Sequence, residues 1–257
     1  LFPISCRIPG HYHPDAKLMR QSLPWETIKA WFFDLDGTLM DTDNQTVDHL
    51  AHRLRFIGAK RARKVARRAV MFSETPLNGL VTMLDVIGLD PLFFFLRGIV
   101  SGKESPIFPI IGESERLLRN LSQSATLGVV TTRSQAAAST FLRQHDLAEL
   151  FDIVITREST QHLKPHPEPM EHAAAEIGLR PEQCAMVGDT PVDVLSARRA
   201  GAWAVGVLCG FGERYELERA GAHLIVPSTD DLLALFKAAN EEHKGSLSDT
   251  PNTEGAA

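Results

Sequence analysis

The stretch Trp31-Phe32-Phe33-Asp34-Leu35-Asp36-Gly37-Thr38-Leu39-Met40-Asp41-Thr42-Asp43 joins an apolar run to an abrupt acidic cluster. Trp31, Phe32 and Phe33 have the continuous apolar character of a strand buried on both faces, so the change of polarity at Asp34 marks its carboxyl end. Gly37 can adopt backbone angles that other residues avoid, and Thr38 can hydrogen-bond locally, so the chain turns here. Side chains alternate along an extended segment, which places Asp34 and Asp36 on one side, facing one site. Two carboxylates that near repel unless a cation or a shared proton offsets the charge, and a hard divalent metal suits an all-oxygen pair.

Outward from this stretch, the residues beyond Gly112 alternate between the two periodicities. Strands are predicted over 28–33, 126–131, 151–156, 184–187, 203–208 and 223–226. Helices are predicted over 113–123, 135–146, 168–177, 191–200 and 230–240. Strands separated by helices pair in parallel through right-handed crossovers, and such sheets bind ligands beyond the strand carboxyl ends. The expected fold is therefore α/β, a Rossmann-like three-layer core around a parallel sheet.

Between the first strand and this rhythm lies a different segment. Val47, Leu50, Leu54 and Ile57 recur at helical spacing, and Asp90 before Pro91 has the form of a helix start. Nearly all of 41–112 reads as helical, and Phe93, Phe94 and Phe95 within it read as packing residues. Arg53, Arg55, Lys60, Arg61, Arg63, Lys64, Arg67 and Arg68 form a basic run, read as a solvated helix face that could also help to hold an anion or meet a partner. Residues 1–27 read as an amino-terminal extension whose His11 and His13 are solvated, and 241–257 as a polar, disordered tail.

Composition sets further limits. With 257 residues, the chain can bury one large core or a core with an insertion, and 44% hydrophobic and 23% charged residues are ordinary for a soluble globular protein. A net charge of -5 argues against general nucleic-acid affinity. Cys6, Cys184 and Cys209 lie far apart with no metal-ligand spacing, which suits a reducing, cytoplasmic location. No apolar run has the roughly 18 residues needed to span a membrane.

Three more strand-end signals follow Asp34 and Asp36. Thr131 ends the apolar LGVV run and is followed by Thr132. Lys164 lies in HLKPHPEPM, where two prolines stiffen the loop before a helix with an acidic start. Gly188-Asp189-Thr190-Pro191-Val192-Asp193 leaves another apolar strand and enters a helix, with Asp193 one turn inside it.

DLDGTL, the strand-end Thr131, the Lys164-Pro-x-Pro run and GDxxxD occur in the order of the four signature motifs of the haloacid dehalogenase superfamily, and the chain resembles its phosphoglycolate phosphatase-like phosphatases over about 28–240. The resemblance implies a core of 28–40 and 113–240 with a helical cap, 41–112, inserted after the first core strand. It implies a magnesium-dependent phosphohydrolase that cleaves a small phosphomonoester through an aspartyl-phosphate on Asp34, which is nucleophile and metal ligand, while Asp36 is general acid and base, its backbone carbonyl also on the metal. Thr131 with neighbouring amides would hold the transferring phosphoryl group, and Lys164 would compensate its charge. Thr132 is counted with this phosphate-binding group, although the phosphoglycolate phosphatase-like branch usually has Asn there. Asp189 would bind Mg²⁺ and Asp193 would support the site from behind. The expected partner is a small phosphorylated metabolite. Rival readings are a sugar-phosphate mutase of the same superfamily and a non-catalytic module that binds a polyanion through the basic run. A haloacid dehalogenase is disfavoured, because those enzymes do without an acid at Asp36.

Overall fold

The computed structural model describes residues 23–41, 53–55, 58 and 109–248, with side chains through 241. Six strands form one sheet: β1 (Ala30–Phe33), β2 (Thr126–Val130), β3 (Ile153–Ile155), β4 (Cys184–Gly188), β5 (Trp203–Val207) and β6 (Leu224–Val226). Among the described residues six helices accompany them: α1 (Ser114–Leu121), α2 (Gln135–Gln144), α3 (Glu168–Glu176), α4 (Pro191–Ala200), α5 (Arg214–Ala220) and α6 (Thr229–Ser248).

The strand order is β3-β2-β1-β4-β5-β6 and every pairing is parallel. β1 is thus central, with Phe33 opposite Val129 on one side and Val187 on the other. The chain winds outward from β1 to β3, then crosses back to β4. That reversal opens a crevice beyond the carboxyl end of β1, the position where such sheets take their ligands.

Alternation along β1 divides the core into two layers. Trp31 and Phe33 pack with Leu117 of α1, Phe141 of α2 and Leu232 and Phe236 of α6. Ala30 and Phe32 pack with Met170 and Ala173 of α3, Val194 of α4 and Leu217 of α5. Phe32 and Phe33 are fully buried, each contributing about 1.5–3 kcal/mol of hydrophobic stabilisation. The three-layer α/β core expected from the sequence is therefore present.

The core chain leaves and re-enters at one place. Asp41 N donates to Pro109 O over 2.8 Å, and Ile111 N donates to Leu39 O over 2.9 Å. The two ends of the intervening segment are held side by side at the carboxyl edge of β1. The helical reading of that segment, its basic run and its aromatic cluster fall almost entirely outside the described residues, as do His11 and His13.

Two elements differ from the sequence reading. α5 is not anticipated: it has seven residues and buries only Leu217, so its apolar signal is minimal. Its termini are instead set by a reciprocal cap between Glu213 and Glu216 and by Gly221 at φ 91°. α6 continues to Ser248, past residue 240 where apolar periodicity ends and into the stretch read as a disordered tail. Ala238, Ala239, Glu241, Glu242 and Lys244 are good helix formers, so intrinsic propensity extends this helix where patterning does not. Residues 249–257 lie outside the description.

Candidate active site

The ends of β1, β2 and β4 each contribute one polar group to the crevice. Asp34 follows β1 directly, and its backbone N–H donates to Val187 O over 3.0 Å, continuing the sheet pairing one residue past the strand. The turn after it is tight: Leu35 O accepts from the backbone N–H of Thr38, Leu39 and Met40. Gly37, at φ 72°, supplies the left-handed residue. Thr131 follows β2, with its N–H paired to Ile155 O over 2.9 Å. Asp189 follows β4, and Lys164 enters from the loop between β3 and α3.

Lys164 is buried, and its ammonium is the hub of the site. Nζ donates to Asp34 Oδ1 over 2.8 Å, to Asp193 Oδ1 over 2.6 Å and to Val130 O over 2.8 Å. Burial works against this charge, but Asp193 and Asp34 outweigh it and hold the lysine pKa above its ordinary value. Asp34 experiences the opposite balance. Its burial outweighs the attraction of Lys164, and Asp193 and Asp36 add repulsion, so its carboxyl is pushed up to about 7. Asp193 Oδ2 accepts from both Thr190 N and Thr190 Oγ1, at 3.1 and 2.6 Å. With Lys164 on its other oxygen, Asp193 is held rigidly as a support.

Carboxylate oxygens of Asp34, Asp189 and Asp193 lie within 4.8 Å of one another. Three buried carboxylates against the Lys164 ammonium leave two uncompensated negative charges when all are ionised. The donors are hard oxygens and the deficit equals the charge of a divalent cation, so the residues fit Mg²⁺. Asp189 is aimed by Thr38 Oγ1, which donates to Oδ1 over 3.3 Å, and by Phe211 N, which donates to Oδ2 over 2.7 Å. A Cβ on Gly210 would come 2.0 Å from Asp189 Oδ2, so only glycine allows the loop after β5 to pass this close.

Asp36 takes a partner that the sequence reading missed. Arg133 donates through Nε to Asp36 Oδ2 and through Nη2 to Oδ1, both at 2.7 Å, a two-pronged ion pair with both side chains about one-fifth exposed. Arg133 N also donates to Thr131 Oγ1 over 3.2 Å, which ties the phosphate-binding candidate to the arginine backbone. A cation two residues beyond a strand-end threonine at an anion site was a legible signal. Thr38, inside the first motif, and the Phe211 amide are the other groups it did not assign.

Of the residues singled out from the sequence, Asp34, Lys164, Asp189 and Asp193 are buried and meet in one cluster, and Asp36 and Thr131 flank it through Arg133. Thr132 is half-buried, and among the described residues its side chain makes no hydrogen bond. Cys184 is buried, which pushes its thiol up to about 12, and Cys209 lies beside the site with Sγ 3.4 Å from Gly37 O. Among the described residues no helix is long and apolar enough to cross a membrane.

A profile of haloacid dehalogenase-like hydrolases matches residues 31–207. Pyrophosphatase PpaX of Bacillus cereus (strain AH820) is 26% identical over 216 residues, covering 83% of this chain and 98% of the relative. Among solved structures, a haloacid dehalogenase-like hydrolase from Bacteroides fragilis superposes with TM-score 0.61 at 26% identity, over 78% of this chain and 97% of that one. A haloacid dehalogenase-like family protein from Streptococcus pneumoniae gives TM-score 0.58 at 25% identity, over 82% and 99%.

Proposed function

This chain belongs to the haloacid dehalogenase-like hydrolase family, and we propose that it is a magnesium-dependent phosphohydrolase that acts on a small phosphorylated metabolite through a covalent aspartyl-phosphate on Asp34. The observation that carries this reading is the convergence of Asp34, Asp189 and Lys164, from three separated parts of the chain, on one buried spot beyond β1.

Mg²⁺ would be held by Asp34, Asp189 and the Asp36 backbone carbonyl, where it supplies charge neutralisation for the transferring phosphoryl oxygens. Lys164 keeps Asp34 Oδ1 fixed, leaving Oδ2 to attack phosphorus. The Oδ2–P bond forms as the bond from phosphorus to the leaving oxygen breaks, and Asp36 passes its proton to that oxygen. Asp36 then takes a proton from water. The water oxygen bonds to phosphorus, the Oδ2–P bond breaks, and inorganic phosphate leaves with Asp34 restored. Thr131 and nearby amides cradle the equatorial oxygens, and the ammonium of Lys164 offsets their charge throughout.

Arg133 favours a narrower substrate class. Its fork occupies both oxygens of Asp36, so the acid must be released before it can protonate a leaving group. A second anionic group next to the scissile phosphoryl would draw the guanidinium off Asp36 and be recognised by the same fork. Inorganic pyrophosphate has that form, and it is the substrate class that the name of the Bacillus relative prints. The test is a panel of pyrophosphate, phosphoglycolate, sugar phosphates, nucleotides and a neutral-ester phosphate, with Mg²⁺ and with chelator. Magnesium-dependent hydrolysis, highest in kcat/KM for pyrophosphate, is expected; chelator-insensitive turnover contradicts the metal assignment, and preference for the neutral ester contradicts the role of Arg133.

A further inference from the structure

The loop that delivers Lys164 carries a second constellation on its outer surface. His162, His166 and Glu168 each offer one ligand atom, and these atoms lie within 4.8 Å of one another. His162 Nδ1 is 2.5 Å from Glu168 Oε2, and His166 Nδ1 is 3.9 Å from the same oxygen. The two imidazoles stack with centroids 4.3 Å apart and planes inclined by 23°.

The sequence explains why these three meet. Lys164 is drawn inward by three hydrogen bonds, while His162 and His166, two positions to either side of it, are exposed on the outside of the bend. The bend closes through His166 N donating to Leu163 O over 2.9 Å. Glu168, in the first turn of α3, reaches back so that its carboxylate accepts from Gln161 N and His162 N, both at 3.0 Å. α4 fixes the far side: Arg199 Nη1 donates to Pro165 O and Ser196 Oγ donates to His166 O, each over 2.8 Å. The ligand-bearing backbone is therefore anchored at Gln161, His162, Lys164, Pro165 and His166, which lowers the ordering cost of binding.

We propose that His162, His166 and Glu168 form a surface site for a borderline divalent transition metal of the Zn²⁺ type, distinct from the carboxylate cluster around Asp34. Bonds of about 2.0–2.1 Å at a tetrahedral angle place ligand atoms roughly 3.3 Å apart, a spacing bracketed by the distances in this triad. Two imidazole nitrogens and one carboxylate oxygen select zinc over magnesium, and the fourth position opens to water because both histidines are about half exposed. The cation replaces the proton shared between His162 and Glu168 and displaces the hydrogen bond from Glu168 N to His166 Nδ1. Since Lys164 lies between the two histidines, an occupied site braces the loop that positions the ammonium at Asp34.

The experiment is calorimetric titration of Zn²⁺ into the tag-free full chain in excess Mg²⁺, alongside His162→Ala, His166→Ala and Glu168→Gln, with zinc X-ray absorption on the loaded wild type. Loss of an outer-sphere partner alone costs roughly 10–100-fold in metal affinity, so each variant is expected to weaken one zinc equivalent by at least that factor. The absorption spectrum should carry imidazole scattering that is lost when His162→Ala and His166→Ala are combined in one chain. Both histidines are half exposed, so their variants should melt like wild type without metal, and this comparison is made first. Zinc binding of equal stoichiometry and affinity in wild type and all three variants, or wild-type zinc without imidazole scattering, overturns the proposal. A substitution that lowers the metal-free melting point is replaced by Gln at the same histidine, and unchanged zinc affinity there also overturns it.

Discussion

Replacing Lys164 by methionine keeps nearly the same length and volume and removes the charge together with its three donated hydrogen bonds. In the native site the ammonium is 3% exposed and lies 2.6 Å from Asp193 and 2.8 Å from Asp34. Its loss leaves carboxylates buried without their counter-ion, a change that costs about 3–5 kcal/mol. For a chain of this size each kcal/mol shifts Tm by about 2–4 °C, so Lys164→Met should melt roughly 6–20 °C lower in chelator. The lysine pKa is raised, so the contribution of the ammonium is fully present throughout the neutral range and the deficit should not change with pH there through Lys164 itself. The deficit should, however, respond to metal. Without Lys164 the cluster has one more uncompensated negative charge, so Mg²⁺ should raise the Tm of the variant by more than that of wild type. Turnover should fall about 10²–10³-fold even at saturating Mg²⁺, the scale of removing one group that stabilises transition-state charge. Calorimetry with chelator, then with a Mg²⁺ series, and initial rates on the same preparations read all three effects. A variant that melts within about 2 °C of wild type in chelator, or that gains no more from Mg²⁺ than wild type does, would refute the account of Lys164 as the counter-ion of the cluster.

The raised carboxyl of Asp34 makes the metal-free protein pH-sensitive in one direction. Its folded pKa of about 7 lies above the ordinary 3.8, so its contribution to stability is full below about pH 4 and is lost as pH rises to 7; Asp34→Asn should flatten this part of the Tm profile in chelator, and parallel profiles would count against it. Arg133→Leu should lower the ratio of kcat/KM for pyrophosphate to that for a neutral-ester phosphate by about 10–100-fold, the loss expected for charged hydrogen bonds, with Arg133→Lys intermediate; an unchanged ratio removes Arg133 from recognition. Gly210→Ala would place a Cβ 2.0 Å from Asp189 Oδ2, so the Mg²⁺ concentration for half-maximal activity should rise roughly 10–100-fold, and a wild-type Mg²⁺ dependence would contradict the close approach.

The parts of this architecture that the sequence made legible are those written in local patterns. Trp31 to Phe33 is continuously apolar because β1 is central and covered on both faces, and the switch at Asp34 marks the point where the sheet ends and the crevice opens. Lys164 and Asp189 could be placed because prolines, or a strand running into a helix, surround them. Pairings between distant segments left no local trace. Arg133 meets Asp36 across 97 positions, and Thr38 meets Asp189 across 151. Neither alters any periodicity. α5 was missed because a seven-residue helix that buries one leucine carries little pattern, and the end of α6 was placed early because its last turns rest on propensity rather than on apolar spacing. His166 is exposed, and its nearness to Glu168 and to the ring of His162 emerges only once the loop closes around Lys164.

The most direct test of the account is rapid acid quench of the enzyme during turnover of its best substrate, followed by peptide mass spectrometry. The expected product is a phosphorylated peptide whose modified residue is Asp34, whose label is released by hydroxylamine as an acyl phosphate is, and which is absent from Asp34→Asn. Steady hydrolysis with no phosphorylated Asp34 at any quench time, or hydrolysis by a clean preparation of Asp34→Asn at the wild-type rate, would contradict it.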